Sequence, residues 1–503
     1  MALVRGVLSA GLISVAHGGV LLSTDFETNP QSQGWTNHGS GSATWTTAQS
    51  ASGTHSLAAS NATWHSPLMN TTPLAWYRLS FKSKAPGTPN NPGSAGYGYW
   101  AAVFYDANGN QLNDDQYSSV FASAGWATNE FRIRAKHAAG PNATLAPARI
   151  KILFQAINAP LYIDDVVVET TTPAEAAQWG DQFYDSIPAK LNYVPKASRW
   201  SRLPRTMEKL RTGQRLRIVM LGDSVQQDTA NAPIDAWLAR LYPGAQIELI
   251  SSTRGGTGVQ YYKDHVPEFI LAYQPDLLVI GGISHEDNMA NFQSVVNQVR
   301  ADDAARGRTT EMLLLSRQWS PNNTSGSPNN TSGSYFLAPG MKELDPIPTN
   351  NASIPNDFRG HLLTFCASNQ LEFLDMTGIA SEFIYGPATA AGVGPPNANG
   401  APYSYWMRDW VHANDRAKII LGRILEAYFA PRPVLSTNKT ASTVSIAWPV
   451  ANTGYRLEFA TSLNSNAQWT SDLTAVSVTN GQFVMQSPVS TPSPEIFYRL
   501  RQP

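Results

Sequence analysis

The sequence predicts an α/β domain with a parallel sheet, flanked by an N-terminal β-sandwich (jelly roll) and a small C-terminal β-sandwich. Between about residues 200 and 430, short apolar runs alternate with longer helical patterns, which is typical of a parallel sheet covered on both faces. Before and after this segment the chain contains short strands between turns and no long helical pattern, which is typical of antiparallel sandwiches. The length of 503 residues fits about three domains of roughly 100–200 residues each.

Composition narrows the classes of partner and cofactor. The 36 Lys and Arg residues nearly cancel the 37 Asp and Glu residues, and only 15% of the chain is charged. A surface with so little net charge attracts a phosphate backbone weakly, so we expect no nucleic-acid partner. The single Cys excludes an intramolecular disulfide framework and any Cys-based zinc cluster.

Residues 1–18 are predicted to be a secretory signal peptide. Arg5 precedes an apolar run from Val7 to Ala16, and a stretch of small residues follows. This run is too short to cross a bilayer, and no later segment reaches the required length of about 20 apolar residues. The alternative is a buried first strand. We therefore expect a secreted or extracytoplasmic protein without a transmembrane segment.

The remaining chain divides into four predicted parts. Residues 20–170 form a predicted β-sandwich, and residues 171–212 a connector that tends to be helical. Residues 213–431 form the α/β domain, and residues 434–503 the small C-terminal sandwich. The predicted strands of the α/β domain are Leu216–Leu221, Ile247–Ile250, Leu277–Ile280, Met312–Leu315 and Phe373–Leu374, and its predicted helices are Ala232–Tyr242, Asn288–Ala304, Asn356–Asn369 and Ala413–Phe429.

Ser224 is the first candidate for catalysis. It stands in the sequence Gly222-Asp223-Ser224, directly after the first predicted strand of the α/β domain. Ligands of open parallel sheets bind beyond the carboxyl ends of the strands, where such a Ser is exposed near a helix N-terminus. The alternative is a Ser or Asp that only caps the next helix.

Asp409 and His412 are the second candidate pair. A spacing of three lets a carboxylate and an imidazole approach one another just before the last predicted helix. An Asp that holds one ring nitrogen leaves the other free to act as a base towards a Ser. A His that is only a satisfied polar residue is the alternative.

Together, Gly222-Asp223-Ser224 and Asp409-x-x-His412 resemble the nucleophile and base blocks of the SGNH, or GDSL-type, hydrolase family, over roughly residues 215–430. The resemblance implies a three-layer α/β/α, flavodoxin-like fold with strand order 2-1-3-4-5. It also implies that Ser224 is the nucleophile, that His412 is the base, and that Asp409 orients the imidazole.

The resemblance further implies an oxyanion hole, whose donors are the Ser224 backbone N–H, a Gly after the second strand and a side chain after the third. Gly258 fits the Gly position best and Gly256 less well. The family usually has Gly-x-Asn-Asp in the third block, whereas this chain has Ser284 at the Asn position and His285 after it. Loss of one oxyanion donor typically lowers the rate by about 10²–10³-fold. The departure leaves open whether Ser284 and His285 support full activity.

The N-terminal segment resembles carbohydrate-binding jelly rolls in three short stretches, namely Asp25-Phe-Glu27, Gly53–Leu57 and Tyr162–Val166. In such modules an acidic pair from the first and last strands often holds a structural calcium ion. The resemblance therefore makes Asp25, Glu27 and Asp165 candidate calcium ligands, with plain turn and edge carboxylates as the alternative.

Aromatic residues in a Gly-rich context offer candidate sugar-stacking rings. Tyr97, Tyr99 and Trp100 form such a cluster, whereas core packing accounts for most of the 14 Trp residues. An exported Ser hydrolase joined to a glycan-binding sandwich predicts a carbohydrate esterase that removes acetyl groups from a polysaccharide or oligosaccharide without a catalytic cofactor.

Two alternatives remain open at this point. One is a lipase or acylhydrolase that acts on lipid esters, and the other is an inactive glycan-binding surface protein. Removal of residues 20–170 is predicted to leave the turnover of small esters intact and to weaken activity on insoluble polysaccharide.

Overall fold

A computed structural model describes residues 19–86, 97–120, 123–136, 146–157, 159–283, 288–317, 340–344, 358–394, 403–408, 412–431, 433, 435–452, 455–463, 467–472, 474–488 and 496–501. The predicted signal peptide lies outside these residues. Among the helices described, none is both long enough and apolar enough to cross a membrane.

The N-terminal strands form two antiparallel sheets. Each sheet has one buried face, because alternate side chains along its strands are apolar. In the strand Trp76–Ala85, for example, every second side chain is buried. The strands are β1 (Val20–Thr24), β2 (Thr36–His38), β3 (Ser42–Thr46), β4 (Ser56–Ser60), β5 (Thr63–His65), β6 (Met69–Asn70), β7 (Trp76–Ala85), β8 (Tyr97–Tyr105), β9 (Gln111–Val120), β10 (Ser123–Arg134), β11 (Arg149–Ile157) and β12 (Leu161–Thr171). One sheet has the order β10-β7-β12-β4-β3 with β1 beside β12, and the other has the order β2-β5-β11-β8-β9 with β6 beside β11. Trp35, Trp64 and Phe154 lie in the single core between the two sheets, so this part of the chain is sandwich-like.

The α/β segment contains five parallel strands in the order β14-β13-β15-β16-β17. Its elements are α1 (Pro173–Ser186), α2 (Pro204–Thr212), β13 (Arg215–Gly222), α3 (Ser224–Ala230), α4 (Ile234–Leu241), β14 (Gln246–Thr253), α5 (Val259–Tyr262), α6 (Val266–Phe269), β15 (Leu277–Gly281), α7 (Met289–Arg306), β16 (Glu311–Leu315), α8 (Phe358–Asn369), β17 (Glu372–Leu374), α9 (Met376–Phe383), α10 (Tyr403–Trp406) and α11 (Asp415–Phe429). The five predicted strands and four predicted helices are confirmed, with helix bounds that differ by at most two residues.

Both faces of the parallel sheet are buried, as the fully apolar strands predict. On one face, Ile218 and Met220 of β13 share a core with α1, α2, α4, α9 and α11. On the other face, Val219 and Leu221 share a core with α5, α6, α7 and α8. Successive residues of a strand point to opposite faces, so one apolar run supplies both cores.

The predicted connector, residues 171–212, packs against the α/β core. The first helix, α1, begins with a capping box between Thr172 and Glu175. Its buried side chains, such as Tyr184, lie in the same core as those of α4 and α11. The Trp237 indole N–H of α4 donates to the Ala177 carbonyl of α1, which fixes the two helices together.

The N-terminal sandwich is joined to the α/β segment through buried polar contacts at the end of β10. The Arg134 guanidinium lies 2.7 Å from the Asp235 carboxylate of α4, and both side chains are buried. The Lys136 ammonium, in a residue only 2% exposed, donates to the Ala230 carbonyl at the end of α3. Trp76 of the sandwich belongs to the α/β core. These contacts bind the sandwich directly to the helix that begins at Ser224.

The C-terminal strands form two small antiparallel sheets. They are β18 (Ser436–Lys439), β19 (Thr443–Pro449), β20 (Arg456–Ala460), β21 (Thr470–Ser471), β22 (Val476–Thr479), β23 (Gln482–Pro488) and β24 (Phe497–Arg501), with the orders β18-β19-β23-β22 and β21-β20-β24. Ile446, Trp448 and Leu457 lie in their core, whereas Val450 belongs to the core of the α/β segment.

Candidate active site

Ser224 lies at the turn between β13 and α3, where the chain leaves the centre of the parallel sheet. Gly222 ends the strand beside β15, and a Cβ atom at this position would lie 2.0 Å from the Gly281 carbonyl oxygen. Only glycine allows this close approach. Ser224 is then the first residue of α3, so its side chain stands at the carboxyl edge of the sheet beside a helix N-terminus.

The Asp223 carboxylate ties two loops of the site together. One oxygen accepts from the N–H groups of Val225 (2.9 Å) and Gln226 (3.3 Å), which caps α3. The other oxygen accepts from the Ile283 N–H at 2.7 Å, in the loop after β15. Gly282 has a φ of +116°, and a Cβ there would lie 2.4 Å from the carboxylate. The Asp of the Gly-Asp-Ser sequence therefore holds the loop that leads to Ser284 and His285.

His412 meets Ser224 directly, although 188 residues separate them. Its Nε2 lies 2.7 Å from the Ser224 Oγ, which is a hydrogen-bond distance. When the ring is neutral and carries its proton on Nδ1, Nε2 accepts the hydrogen bond from the Ser224 hydroxyl. This contact gives a nucleophile and a base in the geometry that general-base activation needs.

The segment that carries His412 is closed on itself by backbone contacts. Met407 and Ala413 form an antiparallel bridge, and the Arg408 N–H donates to the His412 carbonyl at 2.9 Å. Asn414 then caps α11 by accepting from the Arg416 N–H at 3.0 Å. Asp409 lies outside the described residues, so its role as the orienting carboxylate stays a prediction.

The loop after β14 also reaches the nucleophile turn. The Arg254 N–H donates to the Gly222 carbonyl at 3.0 Å, and the Tyr262 hydroxyl donates to the same oxygen at 2.6 Å. A Cβ on Gly255 would lie 3.9 Å from the Ser224 Cβ, so Gly255 packs beside the nucleophile.

The predicted oxyanion donors lie around this turn or outside the described residues. Gly258 stands immediately before α5, and Gly256 has a φ of +69° in the turn before it. Ser224 supplies the first N–H of α3, and such N–H groups have no acceptor within their own helix. Ser284 and His285 lie outside the described residues. The oxyanion assignments stay predictions.

The structure corrects one of the three proposed sugar-binding residues. Trp100 is only 1% exposed, and its ring packs 4.6 Å from that of Phe131 in the sandwich core. Trp100 alternates along β8 with Tyr99, which is half-buried on the opposite face, so the two rings cannot form one platform. The side chain of Tyr97 lies outside the described part of the structure. Trp100 is therefore a core residue.

The three candidate calcium ligands have protein partners of their own. Glu27 accepts from the backbone and hydroxyl of Thr54 and from the His55 N–H, and these hydrogen bonds lower its pKa to about 2. Asp165 pairs with Lys82 at 2.7 Å, whereas Asp25 accepts from the Glu27 N–H. Within the described ranges no three His, Cys, Asp or Glu side chains converge as metal ligands. The role of Asp25, Glu27 and Asp165 as calcium ligands stays a prediction.

Asp228 is a residue of the site that the sequence interpretation missed. It lies one helical turn after Ser224 and is fully buried, and it accepts a hydrogen bond from the N–H of Ala413, the residue after His412. The only signal in the sequence is its spacing of four residues from Ser224, which puts both on one face of α3. Such a spacing is common in helices and does not name the partner.

No protein-family model matches the chain, and no curated protein is significantly similar to it in sequence. Solved structures are similar to parts of it. A two-domain esterase (CEX) active on acetylated mannans, co-crystallized with mannopentaose, is 13% identical, with a TM-score of 0.32 over 64% of this chain and 93% of the esterase. The xylan-binding CBM22-1 domain of Paenibacillus barcinonensis Xyn10C is 18% identical, with a TM-score of 0.23 over 31% of this chain and 96% of that domain.

A carbohydrate-binding module from Cellvibrio mixtus lichenase 5A, in complex with cellotriose, is 12% identical, with a TM-score of 0.19 over 31% of this chain and 100% of the module. The structures similar to this chain thus include an esterase and carbohydrate-binding modules. At these identities and TM-scores, the likenesses do not define a family for the chain.

Proposed function

We propose that this chain is a serine ester hydrolase of the SGNH type, with Ser224 as the nucleophile and His412 as the general base. The observation that carries the proposal is the 2.7 Å distance between the Ser224 Oγ and the His412 Nε2. The strand order β14-β13-β15-β16-β17, with helices on both faces, supports the three-layer α/β/α, flavodoxin-like fold of that family.

The chemistry follows from the two side chains. The Ser224 oxygen attacks the ester carbonyl carbon while His412 Nε2 takes the hydroxyl proton. The tetrahedral intermediate collapses, the alcohol leaves with that proton, and the acyl group stays on Ser224. Water then attacks the acyl-enzyme while His412 takes a proton from it. The acid leaves as His412 returns that proton to the Ser224 oxygen.

The oxyanion that forms in each half-reaction requires donors at the Ser224 turn. We propose the backbone N–H groups of Ser224 and Gly258 for this role, with Ser284 and His285 in the loop that Asp223 holds. Asp409 is proposed to stabilise the imidazolium form of His412. No step of this mechanism runs through a cofactor.

We further propose that the substrate is an acetylated polysaccharide or oligosaccharide and that the protein is secreted. The proposal for the substrate rests on the sandwich, which contacts α3 through Lys136, just after β10, so that a glycan bound by the sandwich is kept near Ser224. The proposal for secretion rests on the residues of the predicted signal peptide.

The acyl specificity is tested with chromogenic esters of increasing chain length. The purified chain is compared with Ser224→Ala and with Ser294→Ala, a matched control on α7. We expect turnover of the acetate ester by the wild type and by Ser294→Ala, and none above background by Ser224→Ala. A strong preference for long acyl chains identifies a lipase instead. Equal behaviour of the wild type and Ser224→Ala on every ester contradicts the enzyme proposal and leaves a glycan-binding protein.

A further inference from the structure

We propose that Asp228 is a positioning residue for His412, because its carboxylate fastens the histidine segment to the helix that carries the nucleophile. This inference rests on the proposed function, since it assigns a role in the activation of Ser224. Asp228 contacts the backbone of the histidine segment, at the Ala413 N–H.

The first step of the argument is the placement of Asp228 on α3. Ser224 is the first residue of this helix and Asp228 the fifth, so both side chains point to the same face, one turn apart. The Asp228 side chain is fully buried between α3 and the segment before α11. The two positions are therefore joined through helical residues rather than through a loop.

The second step is the contact with the histidine segment. One oxygen of the Asp228 carboxylate accepts from the Ala413 N–H at 2.9 Å. Ala413 is bridged to Met407, and the His412 carbonyl accepts from the Arg408 N–H. The hydrogen bond from Ala413 therefore fixes the peptide on the carboxyl side of His412, and the bridge joins Ala413 to Met407.

The third step concerns charge. The other Asp228 oxygen lies 3.8 Å from the Arg408 guanidinium and 3.8 Å from the Lys418 ammonium. Lys418 is also 3.7 Å from Asp415, so this buried cluster holds two anions and two cations. Both cations thus lie beside the carboxylate that accepts the hydrogen bond from the Ala413 N–H.

Ser224 and the anchor of His412 thus belong to one helix. Displacement of a catalytic group by about 1 Å lowers rates by about 10²-fold, so we expect loss of the anchor to slow the activation of Ser224. We expect little change in ester binding, because the Asp228 side chain is fully buried. The expected signature is a fall in kcat with little change in KM.

The experiment measures the rate at which Ser224 of the full chain reacts with a fluorophosphonate probe, together with kcat and KM for a chromogenic acetate. In this reaction the serine oxygen bonds to phosphorus, fluoride leaves, and the hydroxyl proton passes to His412. Asp228→Ala is expected to slow probe labelling and kcat by about 10–100-fold, with KM within about twofold of the wild type. Asp228→Asn has nearly the same volume and keeps an acceptor oxygen, so it is expected to fall between Asp228→Ala and the wild type.

The matched control is Asp303→Ala. Asp303 is also a buried helical carboxylate that accepts from a backbone N–H, that of Thr310, but it lies on α7 away from Ser224. It is expected to lower the melting temperature without slowing the labelling of Ser224. If folded Asp228→Ala and Asp228→Asn both label at the wild-type rate, the positioning role is overturned. If the wild type and Ser224→Ala label equally, the proposed function itself fails.

Discussion

Replacement of Asp223 by Ala tests how strongly the nucleophile turn is held by its own carboxylate. The substitution removes the cap of α3 and leaves the Ile283 N–H without its acceptor. Loss of an N-cap side chain costs about 1 kcal/mol, and loss of a carboxylate acceptor from the partly buried Ile283 N–H costs about 2–3 kcal/mol. The expected destabilisation of the α/β segment is therefore about 3–4 kcal/mol.

Differential scanning calorimetry measures this effect. For a domain of this size, about 1 kcal/mol shifts the melting temperature by roughly 2–4 °C, so Asp223→Ala is expected to lower it by about 6–16 °C. Asp223→Asn keeps one acceptor oxygen for the cap and is expected to lie between Asp223→Ala and the wild type. Asp264→Ala is the control, because its carboxylate is exposed and forms a surface ion pair with Lys263. A melting temperature of Asp223→Ala equal to that of the Asp264→Ala control refutes the reasoning.

Three further predictions concern the sandwich and two titrating groups. Because Lys136 and Arg134 make buried contacts with α3 and α4, the structure changes the expectation for the truncated chain: removal of residues 20–170 should abolish the turnover of small esters. A truncated chain that keeps wild-type esterase activity and a folded circular dichroism spectrum contradicts this. Burial raises the pKa of Glu343 to about 8, so protonation of this carboxyl stabilises the folded state, and that stability is lost as the pH rises from about 4.5 through 8. At pH 8.5 the free energy of unfolding of Glu343→Gln should exceed that of the wild type by about 2 kcal/mol after allowance for solvent screening, which raises its melting temperature. At low pH the two proteins should melt at the same temperature. Burial, with smaller effects of His38 and Lys151, lowers the pKa of His65 to about 4. The unfolded state therefore binds the proton more tightly, and the stability of the fold falls as the pH drops from about 6.5 to 4. His65→Gln should remove about 1 kcal/mol of this loss, measured from the melting curves of the variant and the wild type at these two pH values.

The parallel sheet was predictable because its strands are apolar on both faces. Runs such as Leu216–Leu221 have no polar alternation, and in a soluble protein such a run requires a cover on each side. The helices were predictable from their apolar periodicity. The packing of α1 and α2 against the α/β core was not, because a capped helix with one apolar face does not show which core that face joins.

The pairing of Ser224 with His412 was predictable only in part. The sequence places both at the carboxyl edge of a sheet, yet their 2.7 Å contact depends on how the segment before α11 closes. The role of Asp228 was beyond sequence reasoning, because its partner is a backbone N–H 185 residues away and every residue other than Pro supplies such a donor.

Trp100 shows a signal that the sequence contained and its interpretation did not use. The residues Trp100, Ala102 and Phe104 alternate along β8 and are all buried in the sandwich core. The period of two residues assigns Tyr99 and Trp100 to opposite faces, which excludes them from one binding surface. Composition alone suggested a platform, whereas strand geometry excludes it.

Release of acetate from an acetylated polysaccharide by the full chain tests the central claim most directly. The wild type is expected to release acetate, whereas Ser224→Ala and His412→Ala, each folded as judged by circular dichroism, are expected to release none above background. Acetate release by Ser224→Ala at the wild-type rate would contradict the assignment of Ser224 and His412 as nucleophile and base.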